Sequence, residues 1–320
     1  MTLHLCVKKE IAQTSISVLK KNGLIDVSRK IHTSGNNVLI PILDGAKLPE
    51  SIQGTTVDTD GIVQEEKIRP LIQPGSFDVI GHIAIIKGNE ESRYISRAQE
   101  ILQTRKNIKT VYLDRGVKGD HRTRAIELIA GEDLPETMYR ENGITMKVNV
   151  RKAYFSPRLA TERLLVSGRV RDGELICDMF SGIGPFSISM ARNAKVKILA
   201  IDSNCDAINI LLENLKLNKL AGTVEAICAD SSVEILKHGK FDRIVMNLPH
   251  NAFDFIASAY SSLKEGGVIN YYEINTLEGI TERMLEFRKM GMKLLWKRVV
   301  HGYSKSESLY SMEFEKLNAA

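Results

Sequence analysis

Hydrophobic and polar positions change period along the chain, and the changes divide it into three blocks. From Leu3 to about Ile42 the pattern predicts a strand, a helix from about Glu10, and two further strands. Gly23 marks the helix end, and Ser-Gly-Asn-Asn at 34–37 turns the chain before Val-Leu-Ile-Pro-Ile. Residues 43–77 become polar and rich in turn formers, including Ile-Gln-Pro-Gly at 72–75, which places a boundary near residue 74. The second block reads as one strand at Val79–Lys87, a helix at about Glu91–Lys106, and strands at Val111–Leu113 and around Ala125–Ala130. Glu-Asn-Gly at 141–143 then predicts a hairpin turn between Met138–Tyr139 and Ile144–Val150. A helix from about Ser156 opens the third block, followed by apolar runs at Leu175–Asp178, Lys197–Ile201, Val224–Cys228, Arg243–Met246 and Val268–Tyr272, with helices between them. Strand alternating with helix predicts a parallel, doubly wound α/β sheet. Two final strand-like runs, Leu294–Val300 and Leu309–Phe314, fit an antiparallel hairpin closing a seven-stranded sheet.

The expected organisation is a small N-terminal α/β domain at 1–70, an α+β domain at 75–150 and the wound-sheet domain at 151–320. A chain of 320 residues accommodates three such units. No apolar run approaches the ~18 residues that span a bilayer, and the start Met-Thr-Leu-His-Leu-Cys-Val-Lys-Lys lacks the pattern of a signal peptide, so a cytoplasmic location is expected. Cys6, Cys177, Cys205 and Cys228 form no C-x-x-C pair; buried thiols are expected rather than a disulfide framework or a zinc site. Nor do the seven histidines form a metal-binding group. A formal charge of +5, from 44 basic and 39 acidic residues, is compatible with a polyanionic partner without requiring one.

The most informative segment is Ile176-Cys-Asp178-Met-Phe180-Ser-Gly182-Ile-Gly184-Pro185-Phe. An apolar strand ends at an acid, and a glycine loop leads into a helix at the carboxyl edge of the sheet, where ligands of wound sheets bind. The third glycine of a dinucleotide fingerprint is replaced by Ser187. An acid followed by G-x-G is instead the pattern of S-adenosylmethionine (AdoMet) sites. The next strands also end in acids, Asp202 placed for ribose hydroxyls and Asp230 for an adenine amino group; helix capping is the plainer role for both. The fourth strand ends Asn247-Leu-Pro249-His250. Amino-group methyltransferases carry a related turn there, whose side-chain amide and proline-fixed carbonyl hold a nucleobase edge.

Upstream lies Lys152-Ala-Tyr154-Phe-Ser-Pro-Arg158-Leu-Ala-Thr-Glu162-Arg163. Ser156 can cap a helix with Pro157 at its first position, and Arg158 and Glu162, four apart, share a face. From spacing alone this is an exposed ion pair of small energy. Further back, Arg105, Lys106, Lys109, Arg115, Lys118, Arg122 and Arg124 crowd one stretch, either as a solvated basic face or as phosphate contacts.

Taken in order, Gly-Asp-His-Arg122, Glu-Leu-Ile-Ala-Gly-Glu132, Tyr154-Phe-Ser-Pro-Arg-Leu-x-x-Glu-Arg163, the Asp178 glycine loop and Asn247-Leu-Pro249 resemble the archaeal and eukaryotic Trm5 tRNA (guanine37-N1)-methyltransferases. The resemblance covers 75–320 strongly and 1–70 more weakly. It implies a class I AdoMet-dependent methyltransferase, with a Rossmann-like sheet, that binds tRNA as a monomer. The N-terminal domain would contact the outer corner of the tRNA, and the other two would enclose the anticodon loop. It also implies Glu162 as the general base for N1 of a flipped-out G37 and Arg122 as the donor to guanine O6. Asn247 and Pro249 would position the base, with Tyr154 packed beside it. Arg163, Asp202, Ser203, Asp230, Ser231 and Asn247 would contact AdoMet beside the glycine loop, and Arg115, Lys118, Arg124 and Arg158 are candidate RNA contacts. Two departures stand out: His250 where relatives often carry Lys, and Tyr303-Ser-Lys-Ser-Glu where many show Pro-Arg. The rival within reach is a wybutosine-pathway enzyme acting at position 37, by methylating a tricyclic intermediate or by transferring the aminocarboxypropyl group of AdoMet. Intact Glu162 and Asn247-Leu-Pro argue against the second form. A small-molecule or protein methyltransferase would leave the basic stretch and the two extra domains unexplained, and a non-catalytic RNA-binding module would be expected to have lost the glycine loop or Glu162.

Overall fold

The structure, a computed structural model, describes residues 2–26, 31–43, 46, 48–49, 52, 54–59, 77–87, 91–118 and 123–318. The chain divides into two compact units, Met1–Lys67 and Ile68–Ala320.

In the first unit, β1 (Thr2–Lys8) runs into α1 (Lys9–Lys21), followed by β2 (His32–Ser34), β3 (Asn37–Pro41) and β4 (Thr55–Thr59). The sheet order is β2-β3-β1-β4. Ala12, Ser15 and Leu19 recur at helical spacing on the buried face of α1, and Leu19 and Ala12 join Leu5, Val7, Ile40 and Ile42 in one core. The strand β4 falls in a stretch whose composition predicts turns. It is a polar edge strand that owes its conformation to antiparallel pairing with β1, from Thr2↔Thr59 to Cys6↔Thr55.

The second unit begins with β5 (Phe77–Ile80), β6 (Ile83–Lys87), α2 (Glu91–Thr104), β7 (Thr110–Lys118) and β8 (Thr123–Gly131), in a sheet ordered β5-β6-β7-β8. The single strand expected at Val79–Lys87 is two antiparallel strands, folded back at Gly81-His82 with Ile80 opposite Ile83. Apolar residues on both sides of that Gly-His pair made the run look continuous. Tyr94, Ala98 and Ile101 of α2 cover one face of this sheet through Ala84, Ile86, Val111 and Leu113. The predicted hairpin follows as β9 (Glu136–Glu141) and β10 (Ile144–Asn149). Its two turn residues, Asn142 and Gly143, have φ of 44° and 76°, as a tight turn matching strand twist requires.

Beyond it come α3 (Ala160–Ser167), β11 (Leu175–Asp178), α4 (Pro185–Asn193), β12 (Lys197–Asp202), α5 (Cys205–Lys216), β13 (Thr223–Cys228) and the short α6 (Ser231–Glu234). The remaining elements are β14 (Phe241–Met246), α7 (Ile256–Ser261), β15 (Leu263–Asn275), α8 (Leu277–Lys289), β16 (Met292–Gly302) and β17 (Ser308–Lys316). The seven strands are ordered β13-β12-β11-β14-β15-β17-β16. The first five are parallel, and β17 inserts antiparallel between β15 and β16, forming the expected terminal hairpin. Alternate residues of the central strands face opposite cores: Cys177, Leu199, Ile201 and Met246 on one side, Ile176, Ile198 and Val245 on the other. The helix expected from Ser156 starts later. Residues Pro157–Leu159 form a 3-10 turn, and the Ser156 hydroxyl makes no capping bond.

The thiol expectation fails for one pair. Cys205 and Cys228 form a disulfide with Cα atoms 5.1 Å apart. Neighbouring strands make the bond possible: β12 and β13 pair in parallel, so the start of α5, just after β12, lies beside the end of β13. Cys177 is a buried free thiol. Among the described residues, no helix is long and apolar enough to cross a membrane.

Candidate active site

β11 delivers Asp178 to the carboxyl edge of the sheet, and the chain turns through residues 179–184 into α4, with Pro185 at the first helical position. Gly184 has φ +86° and stands where a Cβ would run into Leu211, so only glycine lets the loop pack on α5. Asp178 is buried, and its Oδ2 accepts a 2.7 Å hydrogen bond from Ser187 Oγ. Burial pushes this carboxyl up to about 7, the Ser187 hydroxyl pulls it back, and the charge of Asp202 adds to the rise. Ser187, the residue that broke the dinucleotide fingerprint, is therefore the partner of the loop's own acid.

Asp202, at the end of β12, accepts from the Gly182 N–H at 2.7 Å and the Asn204 N–H at 2.9 Å. It shapes the glycine loop, and capping of α5 falls to Asn204. For Asp230 the plainer role holds: it caps α6, accepting from the Ser232 N–H at 2.8 Å and the Ser232 hydroxyl at 2.6 Å. Ser203 is exposed and Ser231 buried, while Phe180 meets Phe255 edge-on with ring centres 4.9 Å apart. Ser181 Oγ in the loop and Asn247 Oδ1 at the end of β14 are among the side-chain oxygens here that are buried without a hydrogen-bond partner. Leaving such groups unpaired costs about 1–3 kcal/mol each, so both fit a polar ligand carrying hydroxyl and amino groups, as AdoMet does. The carbonyl of Pro249 is engaged by the Ile274 N–H at 2.8 Å, so this proline ties its turn to β15.

The catalytic candidates lie along the segment before and within α3. Tyr154 is half exposed. The Arg124 guanidinium sits 4.8 Å from its ring centre. Arg124 is not the surface phosphate contact expected of it: it is buried, 2.7 Å from Asp114, 3.5 Å from Asp78 and 3.2 Å from the Phe155 carbonyl. Arg158 pairs with Asp78 at 2.6 Å, so the expected Arg158–Glu162 pair is also absent. Glu162 is fully buried, with Oε1 3.0 Å from Arg298 Nε on β16 and Oε2 accepting from the Tyr272 hydroxyl on β15 at 3.5 Å. Arg163 is buried against Glu141 and the Phe155 ring, and so braces α3 against the hairpin. Arg115 stays partly exposed, paired with Glu127 at 2.9 Å. Arg122 and the side chain of Lys118 lie outside the described residues.

Comparison with known proteins fits this geometry. Residues 137–300 match the TRM5/TYW2 methyltransferase domain, 60–134 the TYW2 N-terminal domain and 5–50 the tRNA methyltransferase 5 N-terminal domain. The tRNA (guanine(37)-N(1))-methyltransferase Trm5b of Pyrococcus abyssi is 39% identical over 311 residues, covering 91% of this chain and 92% of that protein. This chain belongs to the TRM5/TYW2 methyltransferase family. A solved complex of aTrm5 with tRNALeu superposes with a TM-score of 0.68 at 32% identity, covering 99% of this chain and all of that one. A tRNA(Phe) (4-demethylwyosine(37)-C(7)) aminocarboxypropyltransferase of Methanocaldococcus jannaschii is 30% identical, over 68% of this chain and 88% of its own length. The class I AdoMet-dependent fold and the AdoMet cofactor read from the glycine loop are those of this TRM5/TYW2 family.

The two departures from the Trm5 pattern meet in space, since the His250 ring stands edge-on to Tyr303 with centres 5.4 Å apart. Sequence reasoning missed Asn214, whose buried amide accepts from the Lys147 N–H at 2.7 Å and donates to the carbonyls of Lys147 and Ile183, each at 3.1 Å. It joins the hairpin to the glycine loop. Its only signal is a polar residue on the apolar face of α5, at helical spacing from Ala207 and Leu211.

Proposed function

We propose that this protein methylates N1 of guanosine 37 in tRNA, next to the anticodon, using AdoMet. The observation that carries the reading is identity along nearly the whole chain, N-terminal domain included, to a protein named for that reaction. The aminocarboxypropyl-transferring relative matches a shorter part of the chain.

Bound AdoMet supplies the methyl group. Asp178, the glycine loop through Phe180, Gly182 and Gly184, Asp202, Ser203, Asp230 and Ser231 would hold it, and Asn247 Oδ1 is an open acceptor at the same edge. Guanine N1 is a weak acid that has to lose its proton as the methyl arrives, and Glu162 would act as the general base. Arg122 would donate to O6 as negative charge grows there. The half-exposed ring of Tyr154 would pack on the flipped base, backed by Arg124. Arg115, Lys118 and Arg158 remain candidates for the anticodon loop. The N-terminal domain would bind the outer corner of the tRNA, and one chain would serve one tRNA. A second reading, action on a tricyclic guanosine at the same position, draws on the match of residues 60–134 to the TYW2 N-terminal domain.

The test uses unmodified tRNA transcripts carrying G37 or A37, methyl-labelled AdoMet, and mass spectrometry of the nucleosides. The expected product is 1-methylguanosine from the G37 transcript alone. No label in either RNA, with AdoMet still bound, would overturn the proposal in favour of a modified substrate.

A further inference from the structure

Glu162 presents a chemical problem that its role as base has to solve. A carboxylate accepts a proton from guanine N1 only if it is ionised beforehand, and burial without a counter-charge favours the neutral acid. Glu162 is completely buried. Arg163, beside it on α3, faces Glu141 instead, and Arg158, four residues back, faces Asp78.

We propose that Arg298, on the edge strand β16, is the positioning residue that keeps the buried Glu162 carboxylate ionised. Its Nε lies 3.0 Å from Glu162 Oε1. The other oxygen takes the Tyr272 hydroxyl at 3.5 Å. Burial and the charge of Glu162 push Tyr272 well above its usual range, so it stays a neutral donor. Groups placed against Glu162 include Arg298 from β16 and Tyr272 from β15, with Glu313 of β17 and Arg163 of α3 also acting on Tyr272. Arg298 is the cation within ion-pair distance of the Glu162 carboxylate, and its side chain remains partly open to solvent. The role explains why β16 belongs to the site although the cofactor loops are all on the other strands.

This inference rests on Glu162 being the base, and the experiment separates the two. Single-turnover methyl transfer to G37 tRNA is followed against pH for the wild type, Arg298→Gln, Arg298→Lys and Glu162→Gln, with AdoMet affinity measured alongside. Arg298→Gln is expected to move the acid limb of the profile up by roughly one pH unit or more. Its rate should recover at high pH and AdoMet affinity should stay within about twofold, while Arg298→Lys restores much of the wild-type limb. A parallel loss at every pH, or no change, would overturn the role of Arg298 while Glu162→Gln remained inactive. An active Glu162→Gln would instead remove the base and the inference together. Infrared difference spectra of wild-type protein against Glu162→Gln need no folded Arg298 variant. An ionised carboxylate band at neutral pH is expected, and a protonated carboxyl band would refute the proposal.

Discussion

The carboxyl edge of the wound sheet and the charged junction between β5, β7, β8 and the Tyr154 segment both bury polar groups; the junction pairs its charges, leaving the Arg124 Nε without a hydrogen bond, whereas the edge leaves acceptors open. At the junction, Arg124 reaches two aspartates and a carbonyl, and one of those aspartates also holds Arg158. At the sheet edge, Ser181 Oγ and Asn247 Oδ1 have no partner, and Asp178 is held away from its ordinary ionisation. Matched charge fixes architecture. Unspent hydrogen-bonding capacity, retained at a cost to stability, marks where a ligand belongs.

The largest test of this contrast is Arg124→Ala. It strands Asp114 as a buried charge while Asp78 keeps Arg158, and should destabilise the fold by about 3–5 kcal/mol, read by urea unfolding. A loss below about 1 kcal/mol would mean that the junction is not structural. Next comes Asp178. Its carboxyl holds a proton to about pH 7 in the folded state and to about 4 in the unfolded chain. The native state therefore binds more protons across that window, and stability of the cofactor-free protein should fall as pH rises from about 4 to 7, by on the order of a few kcal/mol. Asp178→Asn should flatten this slope in unfolding curves at pH 5 and 7; an unchanged slope would assign it elsewhere. A smaller effect is expected from Asp202→Ala, which frees the Gly182 N–H and should weaken AdoMet binding by roughly tenfold, about 1.4 kcal/mol. Calorimetric titration checks this, and unaltered affinity would take Asp202 out of the cofactor site. Smallest is Arg115→Ala, whose solvent-screened pair with Glu127 should leave stability nearly unchanged, so that any loss appears in tRNA binding at low salt.

Much of the fold was legible because one period dominates each segment. The strands of the wound sheet, the Asn142-Gly143 turn and the terminal hairpin follow from local pattern, and so do the glycine loop and its acids. What was not legible depends on distant pairing. Arg115 and Arg124 look alike in a basic run, and only Asp78 and Asp114 across the sheet make one structural and leave the other at the surface. Glu162 and Arg298 are joined through the sheet, whereas helical spacing pointed to Arg158. Ser187 read as a missing glycine because its partner Asp178 is brought to it by the loop's curvature. Polar composition hid β4 because its conformation comes from β1.

The Cys205–Cys228 bond closes a covalent ring that contains α5 and β13. β13 is an outermost strand with a single neighbour, the kind of element that ordinarily peels away first in partial opening. Cross-linked at its end to the first residue of α5, it cannot leave the sheet without carrying that helix along. The loops bearing Asp202 and Asp230 therefore open as one unit, and hydrogen exchange along β13 should report the redox state of the protein.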